Sequence, residues 1–96
     1  MTQHRLQDVA SAAEGSLGDP RLGSCRFRQV STDTRTIRKG DLFWALRGPN
    51  HDGHRFVDQA IAAGAVAAVV SHPGGRERRI VVKDTTRALG QYAAWY

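Results

Sequence analysis

The chain has 96 residues, 41% of them apolar, and a net charge of +5. That is enough for one packed domain and unlike the charge-dense or low-complexity composition of a disordered segment. No apolar run approaches the roughly 20 residues that cross a bilayer, the first residues from Met1 to Leu6 lack a secretion signal's apolar stretch, and the single cysteine, Cys25, excludes an internal disulfide. These features predict a cytoplasmic domain with no membrane partner. The positive charge rests on arginines scattered along the chain, and scattered guanidinium groups predict a solvated surface more than a nucleic-acid footprint.

Leu6, Val9, Ala10 and Ala13 recur at helical spacing and predict a short amphipathic helix, with Gly15 as its left-handed C′ residue. Gly15 to Gly23 is turn-rich, with room for a very short strand. Cys25, Phe27 and Gln29 alternate with Arg26, Arg28 and Val30, the period of an edge strand, and Arg26 and Arg28 then share a solvated face. The chain next enters Ser31-Thr32-Asp33-Thr34-Arg35. Here Asp33 is placed to bond nearby amides and fix the loop, and Thr32 and Thr34 point the same way if the backbone stays extended.

Leu42 to Leu46 is an apolar run started by Gly40-Asp41 and stopped by Gly48-Pro49, which reads as a buried strand. A loop from Pro49 to His54 follows, in which Gly53 suits a left-handed or crowded turn. Phe56, Val57, Ala60, Ile61 and Gly64 then make one helical face, with Arg55, Asp58 and Gln59 outside it. Val66 to Val70 reads as a strand covered on both faces. Strand, loop, helix and strand make a βαβ unit with parallel strands and a right-handed crossover. After a surface turn from His72 to Arg78 come a strand at Ile80 to Val82 and a last helix. Asp84 caps that helix, with Ala88, Leu89, Tyr92, Ala93 and Tyr96 along its apolar stripe. The pattern is still running at Tyr96, as expected of a piece of a longer protein. The predicted fold class is α/β, a small mixed sheet with a βαβ unit and flanking helices, one domain over residues 1–96.

Two polar loops beside one core strand form a candidate ligand rim, because sites favour loops held by a rigid scaffold. The sequence has no G-x-x-x-x-G-K-[ST] or G-x-G-x-x-G stretch and no paired-cysteine site. His51 and His54 flank Asp52, but no further ligand is spaced to complete a metal site. No catalytic residue and no metal ligand are therefore assigned, and the residues alone support a site for an anionic small molecule without naming it. A binding module for a nucleotide-sugar or other anion, and a basic nucleic-acid module using Trp44, Tyr92, Trp95 and Tyr96, stay as alternatives. The core-like periods of those aromatics count against stacking platforms.

Thr32-Asp33-Thr34-Arg35, Lys39-Gly40-Asp41-Leu42-Phe43-Trp44-Ala45-Leu46-Arg47-Gly48 and Asp52-Gly53-His54-Arg55-Phe56, followed by Ala60 to Val70, together resemble the amino-terminal domain of the Mur ligases of peptidoglycan synthesis. The resemblance runs from about Ser31 to Tyr96. It implies the Mur-type amino-terminal fold and an ATP-dependent amide ligase. In such an enzyme this domain grips the uridine diphosphate end of a UDP-N-acetylmuramoyl peptide, and absent central and C-terminal domains supply ATP, magnesium and the incoming group. By that resemblance Thr32, Thr34, Pro49, Asn50 and His51 fall at substrate contacts, with Asp33, Arg35, Asp52, Gly53 and His54 shaping the loops. Thr34 stands where serine is commoner and keeps the hydroxyl, whereas Pro49 has no backbone N–H to offer. The run from Val82 to Gly90 is similar to the branch that adds D-alanyl-D-alanine, with the branch adding the third residue as the alternative. The segment alone, lacking the ATP site, is expected to be inactive.

Overall fold

In a computed structural model, residues 4–48, 51–71 and 78–95 are described. An interior strand, β3 (Leu42–Trp44), has all three of its residues buried. It lies parallel to β2 (Val30–Ser31) on one side and to β6 (Ala67–Val70) on the other. β6 in turn runs parallel to β7 (Arg79–Val81), and β1 (Ser16–Leu17) closes the sheet antiparallel to β7. The order β1-β7-β6-β3-β2 is thus a five-stranded mixed sheet, with β2 at its edge. β3, α2 (Val57–Ala62) and β6 make the parallel βαβ unit.

Because side chains alternate along a strand, the sheet buries two different sets. Leu42, Trp44, Ala67, Val69, Ile80 and Val82 face α1 (Leu6–Ala12) and α3 (Thr85–Trp95), which meet them with Leu6, Val9, Ala88 and Tyr92. Phe43, Ala45, Ala68 and Val70 face α2 through Val57 and Ala60. The result is three layers, with two helices on one face and one on the other. α3 starts where Asp84 accepts the Thr86 and Arg87 amides at 3.0 and 3.2 Å, though Ala93 of its expected stripe is exposed. Among the described residues no helix is long and apolar enough to cross a membrane.

Several expectations are corrected. The left-handed residue after α1 is Glu14, at φ 55°, rather than Gly15. The Gly15 and Glu14 amides bond back to the Ala10 and Ser11 carbonyls, a complete Schellman ending with Glu14 at C′. Gly15 is required for closeness instead: a Cβ there would stand 2.8 Å from the Val82 side chain and 3.0 Å from the Val81 carbonyl. The expected strand from Cys25 to Val30 reduces to Val30–Ser31 plus a bridge from Arg26 to Arg5. Arg26 and Arg28 are both exposed as expected, and Arg28 in addition reaches inward, its Nε donating to the fully buried Asp41 at 3.0 Å. Asp41 also accepts the Arg38 amide, so its carboxylate joins the turn before β3 to the segment that leads into β2. The surface turn expected from His72 lies, up to residue 77, outside the described residues.

Candidate functional site

α2 is the single described helix on its face of the sheet, and beside it a cleft of about 610 Å³ opens past the carboxyl ends of β2 and β3. Open parallel sheets bind ligands at this end of their strands. Phe43, Leu46 and Phe56 give the cleft an apolar lining, and Thr32, Asp33, Thr34, Arg35 and Gln59 add polar groups. Its size and mix suit a small organic ligand with a few anchored polar atoms.

The 32–35 loop is not extended. Asp33 Oδ1 accepts the Arg35 amide at 2.9 Å and starts a 3-10 turn over Thr34–Thr36. Ser31 Oγ and Thr36 Oγ1 both donate to the Asp33 carbonyl. The premise that brought Thr32 and Thr34 together therefore fails, yet both residues line the same cleft. Arg35 reaches back to Asp33 with Nη2 to Oδ2 at 2.8 Å, and this bonding raises its pKa further above the ordinary guanidinium value. The guanidinium is largely exposed. Such an exposed pair is worth little, so Arg35 is available to turn toward an anion.

The expected loop from Pro49 is a hairpin: β4 (Arg47–Gly48) pairs antiparallel with β5 (His51–Asp52). Pro49 and Asn50 lie outside the described residues, and His51 is described only as backbone paired with Gly48. Asp52 then starts the 3-10 turn Gly53–Phe56 by accepting the His54 amide. Gly53 answers to crowding, since a Cβ there would stand 2.9 Å from the Leu46 nitrogen and 3.0 Å from its carbonyl oxygen. Phe43, Leu46, Phe56 and Gln59 had no place in the expected site. In sequence Phe43 and Phe56 look like ordinary core, and Gln59 was set on the outer face of its helix.

Asp52 titrates below the ordinary carboxylate range, first because the His54 amide donates to it and then because the His54 ring does. A depressed carboxyl contributes stability that is complete above its unfolded value of about 3.9 and is lost as pH falls through the folded value. Asp19, depressed by its bonds from Arg21, contributes with the same sign. Asp52→Asn keeps a good cap but removes the charge. Melting temperature measured from neutral to acid pH is expected to fall less steeply in this variant than in the parent. Identical acid limbs would show that Asp52 carries none of the linkage.

These features define a class: a three-layer α/β domain with a cleft at its strand ends lined by apolar side chains and threonines. The family described as Mur ligase family, catalytic domain, matches residues 26–96. The chain is 35% identical over its whole length to the UDP-N-acetylmuramoyl-tripeptide--D-alanyl-D-alanine ligase of Bacillus subtilis, covering 22% of that protein. It is 49% identical, over 69% of its length, to 15% of the Escherichia coli enzyme of the same name. A crystal structure of MurF from Acinetobacter baumannii superposes on 99% of the chain with a TM-score of 0.88 and 33% identity, the match covering 21% of that protein. The chain belongs to the Mur ligase family, and it spans about a fifth of the length of these relatives.

Proposed function

We propose that this chain is the amino-terminal substrate-binding part of a cytoplasmic ATP-dependent ligase that adds D-alanyl-D-alanine to a UDP-N-acetylmuramoyl tripeptide. The cleft receives the uridine diphosphate end of that substrate. The observation that carries this reading is the lining: the partly exposed Phe56 and Leu46 offer apolar surface for a base, Thr32 and Thr34 offer hydroxyls, and Arg35 a guanidinium suited to a diphosphate. ATP and magnesium belong to the part of the protein beyond this chain. The sequence reading that motivates this is the lack of a phosphate loop with its lysine.

A second reading, the enzyme adding the third residue, has support of its own. The chain is 44% identical over 79% of its length to the UDP-N-acetylmuramoyl-L-alanyl-D-glutamate--2,6-diaminopimelate ligase of Bradyrhizobium diazoefficiens. Assaying the whole protein with D-alanyl-D-alanine and, separately, with diaminopimelate separates the two. A nucleic-acid role is disfavoured, because Trp44 and Tyr92 are buried and unavailable for stacking on bases.

Thr34→Val tests the cleft. It keeps the shape and removes a hydroxyl, and leaving a ligand group unpaired costs about 1–3 kcal/mol, roughly tenfold or more in affinity. Calorimetric titration with UDP is expected to show that weakening with little change in melting temperature. Unchanged affinity with a lowered melting temperature would mean that Thr34 only shapes its own loop.

A further inference from the structure

The His54 side chain is 8% exposed and joins two elements of the fold. Its Nδ1 lies 2.7 Å from Asp52 Oδ1. Its Nε2 lies 2.9 Å from the Ser71 backbone nitrogen and 3.0 Å from Ser71 Oγ, just past the end of β6. A backbone N–H can only donate, so Nε2 must present its lone pair to it. The ring proton then sits on Nδ1, where the Asp52 carboxylate accepts it. In this geometry the imidazole is neutral.

The same contacts contain a second state. A proton arriving at Nε2 meets the Ser71 N–H, donor against donor, and finds its acceptor in the Ser71 hydroxyl instead. The imidazolium keeps Asp52 as its counter-ion, while the Ser71 amide loses its partner. Asp52, His54 and Ser71 also stand in the order of a hydrolytic triad. The Ser71 amide, however, occupies the lone pair that a general base needs, so the arrangement holds rather than abstracts.

We propose that His54 is a positioning residue for the cleft: neutral, it clamps the Gly53–Phe56 turn to the end of β6, and protonated, it re-pairs with the Ser71 hydroxyl and releases that clamp. The turn reaches the cleft twice. Phe56 lines it directly, and the Gly53 amide donates at 2.7 Å to the carbonyl of Leu46, which lines it too. Asp52 faces the ring from β5, Ser71 faces it from the end of β6, and Arg47 on β4 acts on the Asp52 charge. Arg55, next in the turn, is exposed, and His72 follows Ser71 in the sequence. Consequences for a nucleotide rest on the cleft assignment proposed above. The clamp itself does not.

The test is ¹⁵N NMR of the 96-residue chain recorded as the pH is lowered from about 8 to about 5. At the upper end the His54 proton is expected on Nδ1. As pH falls, the Ser71 amide, the Leu46 amide and the Phe56 ring are expected to shift together with one midpoint. Ser71→Ala removes the acceptor of the protonated state but keeps the amide, so its midpoint moves to lower pH. His54→Gln can still accept the Ser71 N–H through Oε1 and takes up no proton, so its profile is flat and His72 is separated from His54. If that variant does not fold, the Ser71→Ala displacement decides alone. A His54 proton on Nε2 at the upper pH, a Ser71→Ala midpoint that does not move, or Leu46 and Phe56 shifts that persist in His54→Gln overturns the clamp. UDP affinity is expected to weaken about three- to tenfold across the same range. UDP binding at no pH overturns the cleft assignment, while the NMR midpoints still judge the clamp.

Discussion

Replacing Trp44 with alanine is expected to lower the unfolding free energy by about 3–5 kcal/mol, much of the 5–15 kcal/mol that holds a typical domain together. Trp44 sits on β3, an interior strand, with no exposed surface, among the largest fully buried side chains of the described residues. Its ring lies 5.8 Å from that of Tyr92, and Nε1–H donates at 2.8 Å to the Thr85 carbonyl in the first turn of α3. One side chain therefore fills the space between sheet and helix and also fixes where α3 begins. Truncation opens a cavity bounded by β-sheet on one side and two helices on the other, a site poorly able to collapse. Urea unfolding checks this. Trp44→Phe, which keeps most of the volume and loses the indole donor, should cost clearly less than Trp44→Ala. A loss under about 1 kcal/mol for Trp44→Ala would contradict the burial and packing described here.

The features legible in the sequence were those set by periodicity within one segment. Leu42 to Trp44 is covered on both faces, so every residue in it is apolar, and the run announces itself. The helical stripes of α1 and α2 and the βαβ order between them follow from the same rule. What stayed hidden depends on contacts between segments. Nothing local marks Gly15 as a site of close approach, because the crowding comes from Val81 and Val82 more than sixty positions away. Leucine and glycine flank Asp41 like any turn residue, and its burial becomes intelligible only once Arg28 is seen beside it.

The candidate site divides in the same way. Thr32 and Thr34 were picked out by residue type in a loop, and the cleft does include them. Phe43 and Phe56 carry no such signal. Phe43 is core, packed against α2 and bordering the cleft from beneath, and Phe56 lines it from the turn before α2, placements that only the tertiary fold sets. His54 was assigned to its own loop, whereas its ring bonds Ser71 seventeen residues away. Local chemistry picked out loop residues that line the cleft, whereas the apolar lining and the His54–Ser71 contact depend on tertiary packing.

Gly64→Ala is expected to cost about 4 kcal/mol, although it adds one methyl group. The residue ends α2 at φ 114°, where a Cβ brings strain of roughly 1–3 kcal/mol. That Cβ would also stand 2.9 Å from Lys39 Cα and 3.2 Å from the Lys39 nitrogen. These are backbone atoms that cannot swing aside, and overpacking of this kind adds roughly 1–3 kcal/mol more. The closeness has a use, because the Gly64 carbonyl accepts the Gly40 amide at 2.9 Å. The end of α2 is thereby fastened to the turn that leads into β3, and the crossover helix is locked onto the strand that precedes it. Gly90→Ala is the matched control. It lies within α3, and an added Cβ meets nothing within 4 Å, so helix propensity alone should raise stability by about 0.5–1 kcal/mol. Urea unfolding of the two variants should therefore move their midpoints in opposite directions. A Gly64→Ala midpoint equal to or above that of the parent would show that the α2 ending does not approach Lys39 as closely as described.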